Sequence, residues 1–375
     1  MSIFDRRPRL RWAVPVAAGA LILAGTTVGT VVASADAGLP PKTPQELLVA
    51  LQSPNATAVS GTVVATADLG LPTLPTGMAP RADLTALVSG THTLRVWSDG
   101  SGQARLSLLG NASETDIVRS GQDVWKWSSD AATADHYVLP QHEASMTPPA
   151  LPDGVTLPST PQEAADLALT SLDSTTTVST TGTDKVAGRP VYELVLTPKQ
   201  SDTLVDRVVV ALDSETNVPL RVQVYSTQQP NPAYEVGFTD VDFATPDASV
   251  FAFSPPPGAT VTEHAAPDHG KKPSDATMPA DAAPPTVVGT GWSQVVVARI
   301  PADATAALAG GSTDGSAAGA DQAMALLAAL PTTKGSWGTG RVLAGTLFSV
   351  ILTDDGRVAL GAVTPETVSA ALAAQ

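Results

Sequence analysis

The chain contains no cysteine, which excludes disulfide bonds, thiol catalysis and lipid attachment through an N-terminal cysteine. Basic residues are also scarce, with 21 Lys and Arg against 36 Asp and Glu and a net charge of −15. Proteins that bind nucleic acid usually present a basic surface, so this balance argues against nucleic acid as a partner. Without disulfides, the fold must be held by its hydrophobic core alone.

Motifs of the common catalytic classes are missing too. No serine lies in a G-x-S-x-G motif, and the five histidines have no recognised catalytic context. The glycine-rich stretch 335–340 lacks the third glycine of a dinucleotide fingerprint and is predicted to be a turn into a strand. Asp240 and Asp242 are predicted to be solvated, as are His264 and His269 in a proline-rich tract. The sequence therefore predicts a non-enzymatic protein without a cofactor or metal.

The N-terminus has the pattern of an export signal. Four arginines precede the charge-free stretch 12–35, which closes with Ala33-Ser34-Ala35 before Asp36. A basic region, an apolar core and an A-x-A exit are typical of a secretory signal, but a core of this length can also span a bilayer. Residues 1–35 are therefore a signal peptide cleaved after Ala35 or an uncleaved transmembrane anchor. Either reading places the rest of the chain in the cell envelope, outside the cytoplasmic membrane.

The strongest pattern of the chain lies between residues 189 and 258. Four runs in it alternate apolar and polar residues, which predicts antiparallel strands that are buried on one face. The polar segment 213–217 is predicted to be a hairpin loop, and prolines 255–257 are predicted to end the last strand. The apolar positions are Tyr192, Leu194 and Leu196, then Val208, Val210 and Leu212, then Leu220, Val222 and Val224, then Val236 and Phe238.

The first half of the chain predicts a second set of strands with two helices. Thr43 caps a helix with Pro44 in its first turn, and a second helix is predicted over 161–172. Strands are predicted over 56–67, 90–97, 103–109, 115–119, 123–128 and 135–139. The segment 68–83 holds several prolines and is predicted to be an exposed loop, either a lid or a plain surface insertion.

Residues 189–260 resemble the LolA/LolB lipoprotein-carrier superfamily, which includes RseB/MucB-type envelope regulators. The resemblance lies in the order of the elements, which is a strand, a hairpin, a further strand and the segment "FAFSPPPGA". The resemblance implies an α+β fold in which a strongly curved antiparallel sheet, an unclosed half-barrel, wraps over helices and encloses an apolar cavity. It implies a lipid or lipoprotein acyl chain as the ligand. The candidate cavity residues are Val63, Leu94, Val96, Leu106, Leu108, Trp125, Trp127, Leu194, Leu196, Val208, Val210, Val222 and Val224.

The C-terminal part is predicted to be a separate unit. The composition predicts a LolA-like domain over 40–258, a proline-rich linker over 259–286 and a small α+β domain over 287–375. The small domain is expected to hold a strand over 292–300, a helix over 320–330, strands over 341–363 and a last helix from Thr364. RseB-like proteins use a small C-terminal domain to contact a membrane partner, so a corresponding contact is implied here.

Two functions remain open from the sequence. One is a protein that carries a lipid or an acyl chain on the concave face of the sheet. The other is a sensor of envelope state that acts through a membrane protein such as an anti-sigma factor.

Overall fold

The computed structural model describes residues 27–28, 39–52, 57–71, 87–110, 112–139, 175–264, 285–299 and 329–375. In these residues the chain forms two sheets and the helices α1 (Pro44–Gln52) and α2 (Pro365–Ala373). The large sheet has thirteen strands and the small sheet has six.

The large sheet is built from strands β1 to β13 in the order β1-β8-β9-β10-β11-β12-β2-β3-β4-β5-β6-β7-β13. The strands are β1 (Thr27–Val28), β2 (Val59–Ala67), β3 (Gly90–Ser98), β4 (Gln103–Leu109), β5 (Glu114–Ser120), β6 (Asp123–Ser128), β7 (Thr133–Val138), β8 (Thr176–Val186), β9 (Arg189–Pro198), β10 (Val205–Asp213), β11 (Pro219–Ser226), β12 (Pro232–Asp242) and β13 (Thr260–His264).

Neighbouring strands of this sheet are antiparallel except at its two ends. There β1 runs parallel to β8 and β13 runs parallel to β7. In the described residues β1 and β13 end the strand order, so the curved sheet stays open instead of closing into a barrel. The predicted open, mainly antiparallel sheet with a second smaller sheet is thus present.

The registers define one face of the large sheet, called here the inner face. Val63 lies opposite Leu94, which lies opposite Leu108. On the other side of β2, Val63 pairs with Phe238, and the same face continues across β11 and β10 to Val210. Directly opposite residues of an antiparallel pair share a face, so these apolar side chains form one continuous surface.

Helix α1 packs against inner-face residues of β8 to β11. Its Leu47 and Leu48 are fully buried against residues of β8 to β11, including Leu194 and Val208. Burying a leucine side chain stabilises a fold by about 1.5–3 kcal/mol, so these two residues anchor the helix firmly. The predicted cap is confirmed, because the backbone N–H and the hydroxyl of Thr43 both donate to Glu46 Oε2, at 2.6 and 2.8 Å.

Several elements differ from the prediction. Strand β8 was not predicted because its threonine-rich sequence lacks clear apolar alternation. Strand β12 ends at Asp242, well before prolines 255–257, and a short 3-10 turn (Ala248–Phe251) follows it. Strand β13 occupies the start of the segment predicted to be the linker. The predicted helix over 161–172 and most of the predicted loop over 68–83 lie outside the described residues.

The small sheet has the order β14-β15-β19-β18-β17-β16. Its strands are β14 (Thr286–Val288), β15 (Val295–Arg299), β16 (Thr332–Gly335), β17 (Gly338–Ala344), β18 (Ser349–Thr353) and β19 (Arg357–Gly361). Helix α2 packs on one face, where Val368 and Leu372 contact Val297 and Ile351. The predicted strands over 341–363, the turn into a strand at 335–340 and the final helix are confirmed, while the predicted strand over 292–300 begins only at Val295, after a short 3-10 turn (Gly291–Ser293). The predicted helix over 320–330 lies outside the described residues except at 329–330.

The two sheets contact each other directly. Trp292 donates from Nε1 to Thr176 Oγ1 at 2.6 Å, and its backbone N–H donates to Gln200 Oε1 at 3.0 Å. Leu204 donates its N–H to the carbonyl of Ala362 at 2.8 Å. Trp292 and Ala362 also pack against the core under α1, so that this core receives side chains from both sheets.

Among the described residues, no helix combines the length and the apolar character needed to cross a bilayer.

Candidate functional site

A cleft of about 490 Å³ lies at one end of the inner face. One wall is the C-terminal end of α1, with Ala50 and Leu51, and another is the β10–β11 loop, at residues 217–219. The volume falls within the roughly 300–1,000 Å³ of typical ligand pockets.

The floor of the cleft is a cross-strand row of the inner face. Val59 lies opposite Ser98, Ser98 opposite Ala104, and Ala104 opposite Arg119. All four of these residues line the cleft. The floor is therefore part of the same surface as the apolar core and is not a separate depression.

The next row along the strands is apolar from β2 to β5 and ends in Lys126 on β6 and Asp135 on β7. Gly61 lies opposite Val96, Val96 opposite Leu106, and Leu106 opposite Ile117. Val96 and Leu106 are half-buried, whereas Leu94 and Leu108 in the row beyond are buried. Exposure of the apolar rows thus increases from the centre of the sheet towards the cleft.

The structure places eleven of the thirteen candidate cavity residues on the inner face. Five strand residues among them, Leu194, Leu196, Val208, Val210 and Val224, are buried in the cluster that includes α1. Val222 is half-buried beside that cluster. The remaining five, Val63, Leu94, Val96, Leu106 and Leu108, form the cluster nearest the cleft.

Trp125 and Trp127 do not join this group. Trp125 lies opposite Val118, which lies opposite Arg105, and these residues alternate with the inner-face positions of their strands. Both tryptophan rings contact Phe253, with ring centroids 5.5 and 6.4 Å apart. The two tryptophans do share a face, as their spacing predicts, but it is the outer face of the sheet.

Among the described residues that line the cleft, Arg119 is the one with a charged side chain. It is exposed, and its Nε donates to the carbonyl of Gly121 at 3.2 Å. The other polar lining groups are uncharged and include Ser98, Gln103 and Asn217. The cleft thus combines apolar walls with a positive charge at one end.

A buried carboxylate fixes the β10–β11 loop that forms one wall. Asp213 is fully buried and accepts hydrogen bonds from Arg189 Nε at 2.5 Å and from Thr216 N at 2.8 Å. Burial raises the pKa of Asp213, but the hydrogen bonds from Arg189 and Thr216 outweigh it, so the pKa lies below its usual value. The carboxylate is therefore ionised at neutral pH and holds Asn217 and its neighbours in place.

In the part of the chain that the structure describes, no three His, Asp or Glu side chains are arranged to hold a metal ion. His264 lies on β13 and contacts Asp135 Oδ1 through Nε2 at 3.0 Å.

The sequence reasoning did not find Arg119 or the cleft. Arg119 belongs to a strand that was predicted, and it is in phase with Ile117 on that strand. Only the register with β4 shows that Arg119 and Ile117 lie on the inner face, and this register depends on the length of the loop between β4 and β5.

Comparison with known proteins gives two kinds of match. Residues 156–263 match a family described as "Predicted periplasmic protein (DUF2092)". No curated protein matches the chain in sequence.

Solved structures also match the chain, at low sequence identity. A chain of the Pseudomonas aeruginosa MucA/MucB complex matches with 17% identity and a TM-score of 0.42, over 88% of this chain and 96% of that one. MucB in complex with the periplasmic part of MucA matches with 14% identity and a TM-score of 0.40, over 88% and 97%. A LolA superfamily protein from Nitrosomonas europaea matches with 12% identity and a TM-score of 0.22, over 57% and 99%. These matches include MucB and a LolA-superfamily protein, the two groups of proteins that residues 189–260 resemble in sequence.

Proposed function

We propose that this chain is a non-enzymatic, exported cell-envelope protein that binds a lipid or lipoprotein acyl chain on the inner face of its large sheet. The supporting observation is the cleft, whose floor continues the apolar rows of the inner face without interruption. An acyl chain that enters the cleft would meet Val96 and Leu106, which are half-buried.

The energetics favour such a ligand. Each buried methylene contributes about 0.8 kcal/mol. Ten buried carbons therefore contribute roughly 8 kcal/mol before the cost of ordering the chain, which is enough for micromolar binding. Apolar contact over several strands is thus sufficient, and no cofactor is needed.

The proposed organisation follows the sequence. Residues 1–35 act as a signal peptide or membrane anchor, and 40–258 form the ligand-binding domain. Residues 259–286 connect it to the small domain of 287–375, with β13 adding to the edge of the large sheet. The description of the matched family as periplasmic agrees with a location outside the cytoplasmic membrane.

A charge placed on the inner face tests this function. Val96→Glu puts a carboxylate beside the cleft floor, and Arg95→Glu puts the same carboxylate on the adjacent residue of β3, exposed on the outer face. An unpaired carboxylate in an apolar site is costly, so Val96→Glu should abolish saturable binding of a fluorescent fatty-acid probe to the exported chain. Arg95→Glu should leave the probe affinity unchanged.

Circular dichroism of both variants controls for folding. The proposal fails if the folded wild-type protein shows neither saturable probe binding nor co-purified lipid. It also fails if Val96→Glu and Arg95→Glu bind the probe equally well.

A second function, a regulator that contacts a membrane protein such as an anti-sigma factor, is favoured by one feature of the small sheet. Val287 lies opposite Val296, which lies opposite Leu360, and the three residues are 52%, 40% and 45% exposed. Exposed contiguous apolar surface often marks a protein contact. A membrane protein that co-purifies with the exported chain, is lost with Leu360→Arg and is retained with Val96→Glu would support this function.

A further inference from the structure

We propose that the ligand is an anionic amphiphile whose negatively charged head group pairs with Arg119, while its alkyl chain lies along the inner face. This inference rests on the proposed function and adds the chemical class of the ligand.

The position of Arg119 on the sheet supports this assignment. Arg119 lies in the floor row of the cleft, one row from Leu106 and two rows from Leu108. Successive rows on one face are separated by about 7 Å, because a strand rises about 3.3 Å per residue and every second residue faces inward. A head group at Arg119 therefore leaves its chain directed at apolar side chains about 7 and 14 Å away.

The charge distribution also favours an anion. The protein carries a net charge of −15, yet the described residues that line the cleft include no Asp or Glu. Asp99, in the turn between β3 and β4, accepts hydrogen bonds from the backbone N–H groups of Ser101, Gly102 and Gln103 at 2.8–3.0 Å. This carboxylate is thus held by its own turn and does not pair with Arg119.

A second cation lies behind the opposite wall. Lys42 Nζ is 3.1 Å from Asn217 Oδ1, and Asn217 lines the cleft. Lys42 also lies 4.5 Å from the centre of the Tyr192 ring. Lys42 also interacts electrostatically with Glu46, so Arg119 remains the main positive charge at this end of the inner face. An uncharged or cationic amphiphile would gain nothing from this arrangement.

Paired ligands and paired variants test the inference on the full exported chain. The ligands are a fluorescent fatty acid and its methyl ester, which share chain and fluorophore and differ in charge. The wild-type protein should bind the acid more tightly than the ester. Arg119→Gln should weaken acid binding about two- to fivefold, as expected for loss of an exposed ion pair, and leave ester binding unchanged. Arg95→Gln, an exposed arginine on the outer face, should change neither affinity.

Equal wild-type affinities for acid and ester, or an Arg119→Gln variant that keeps its preference for the acid, would overturn the inference while leaving the proposed function intact. Displacement of the probe by acetate would overturn it too, since an anion site alone needs no chain. Absence of binding for both probes is a different result, which refutes the proposed function and this inference together.

Discussion

Removing the carboxylate of Asp213 should destabilise the protein strongly and should also weaken ligand binding at the cleft. The side chain of Asp213 is completely buried, whereas its partner Arg189 is 28% exposed. In addition to Arg189, Asp213 Oδ1 accepts hydrogen bonds from Thr216 N and Thr216 Oγ1, at 2.8 and 2.9 Å. Asp213→Ala removes all of these interactions and leaves the turn before Asn217 without its central acceptor.

The expected cost follows from the burial. Breaking a buried ion pair by removing one partner typically costs about 3–5 kcal/mol. The pair of Asp206 and Arg207 is the matched control, because it lies on the same strand but is 44% and 39% exposed. Asp206→Ala should cost at most about 1 kcal/mol, as is usual for exposed ion pairs.

Urea unfolding followed by tryptophan fluorescence measures both variants. The pH dependence gives a second check, because the pKa of Asp213 is lowered in the folded protein. Its contribution is therefore present above the unfolded value of about 3.9 and is lost as the pH falls through the folded pKa. The wild-type and Asp213→Asn stabilities should converge at low pH. Costs for Asp213→Ala and Asp206→Ala that agree within about 0.5 kcal/mol would contradict the assigned role of burial.

Three further predictions concern other parts of the chain. Burial lowers the pKa of His136, but its hydrogen bonds to Glu263 and Asp123 raise the pKa overall. The stability of the folded protein should therefore fall as the pH rises above about 6.5, and it should fall less steeply in Glu263→Gln. Trypsin should cut at residues 271–272, and the two fragments of the wild-type protein should co-elute from a sizing column. The fragments of Trp292→Ala, which lacks a contact between the sheets, should separate. Gly61→Ala should cost about 1–3 kcal/mol in thermal or urea unfolding, because its Cβ would collide with the carbonyl of Asp240; a neutral result would refute this packing.

Most strands of both sheets could be predicted from local pattern, although β14 and β16 were not. The alternation of Leu194 and Leu196, and of Val208 and Val210, reports directly which residues face a core. The cap of α1 could also be predicted, because Thr43 and Glu46 interact within one helical turn. Strand β8 was missed because threonine suits a strand without marking which face is buried. Strand β13 was missed because its residues are mostly exposed and its partner β7 lies far away in sequence.

The sequence by itself determined most of the elements, because periodicity, caps and turn residues act over a few neighbouring positions. It also determined the absence of cysteine chemistry and the acidic character of the chain. Only the tertiary structure decided which residues of neighbouring strands lie on the same face of the sheet. The registers put Arg119 beside Leu106 on the inner face and Trp125 on the outer one, although all three residues sit on well-predicted strands. A shift of one residue in strand pairing reverses every side chain of a strand, and that choice is made by contacts between distant segments.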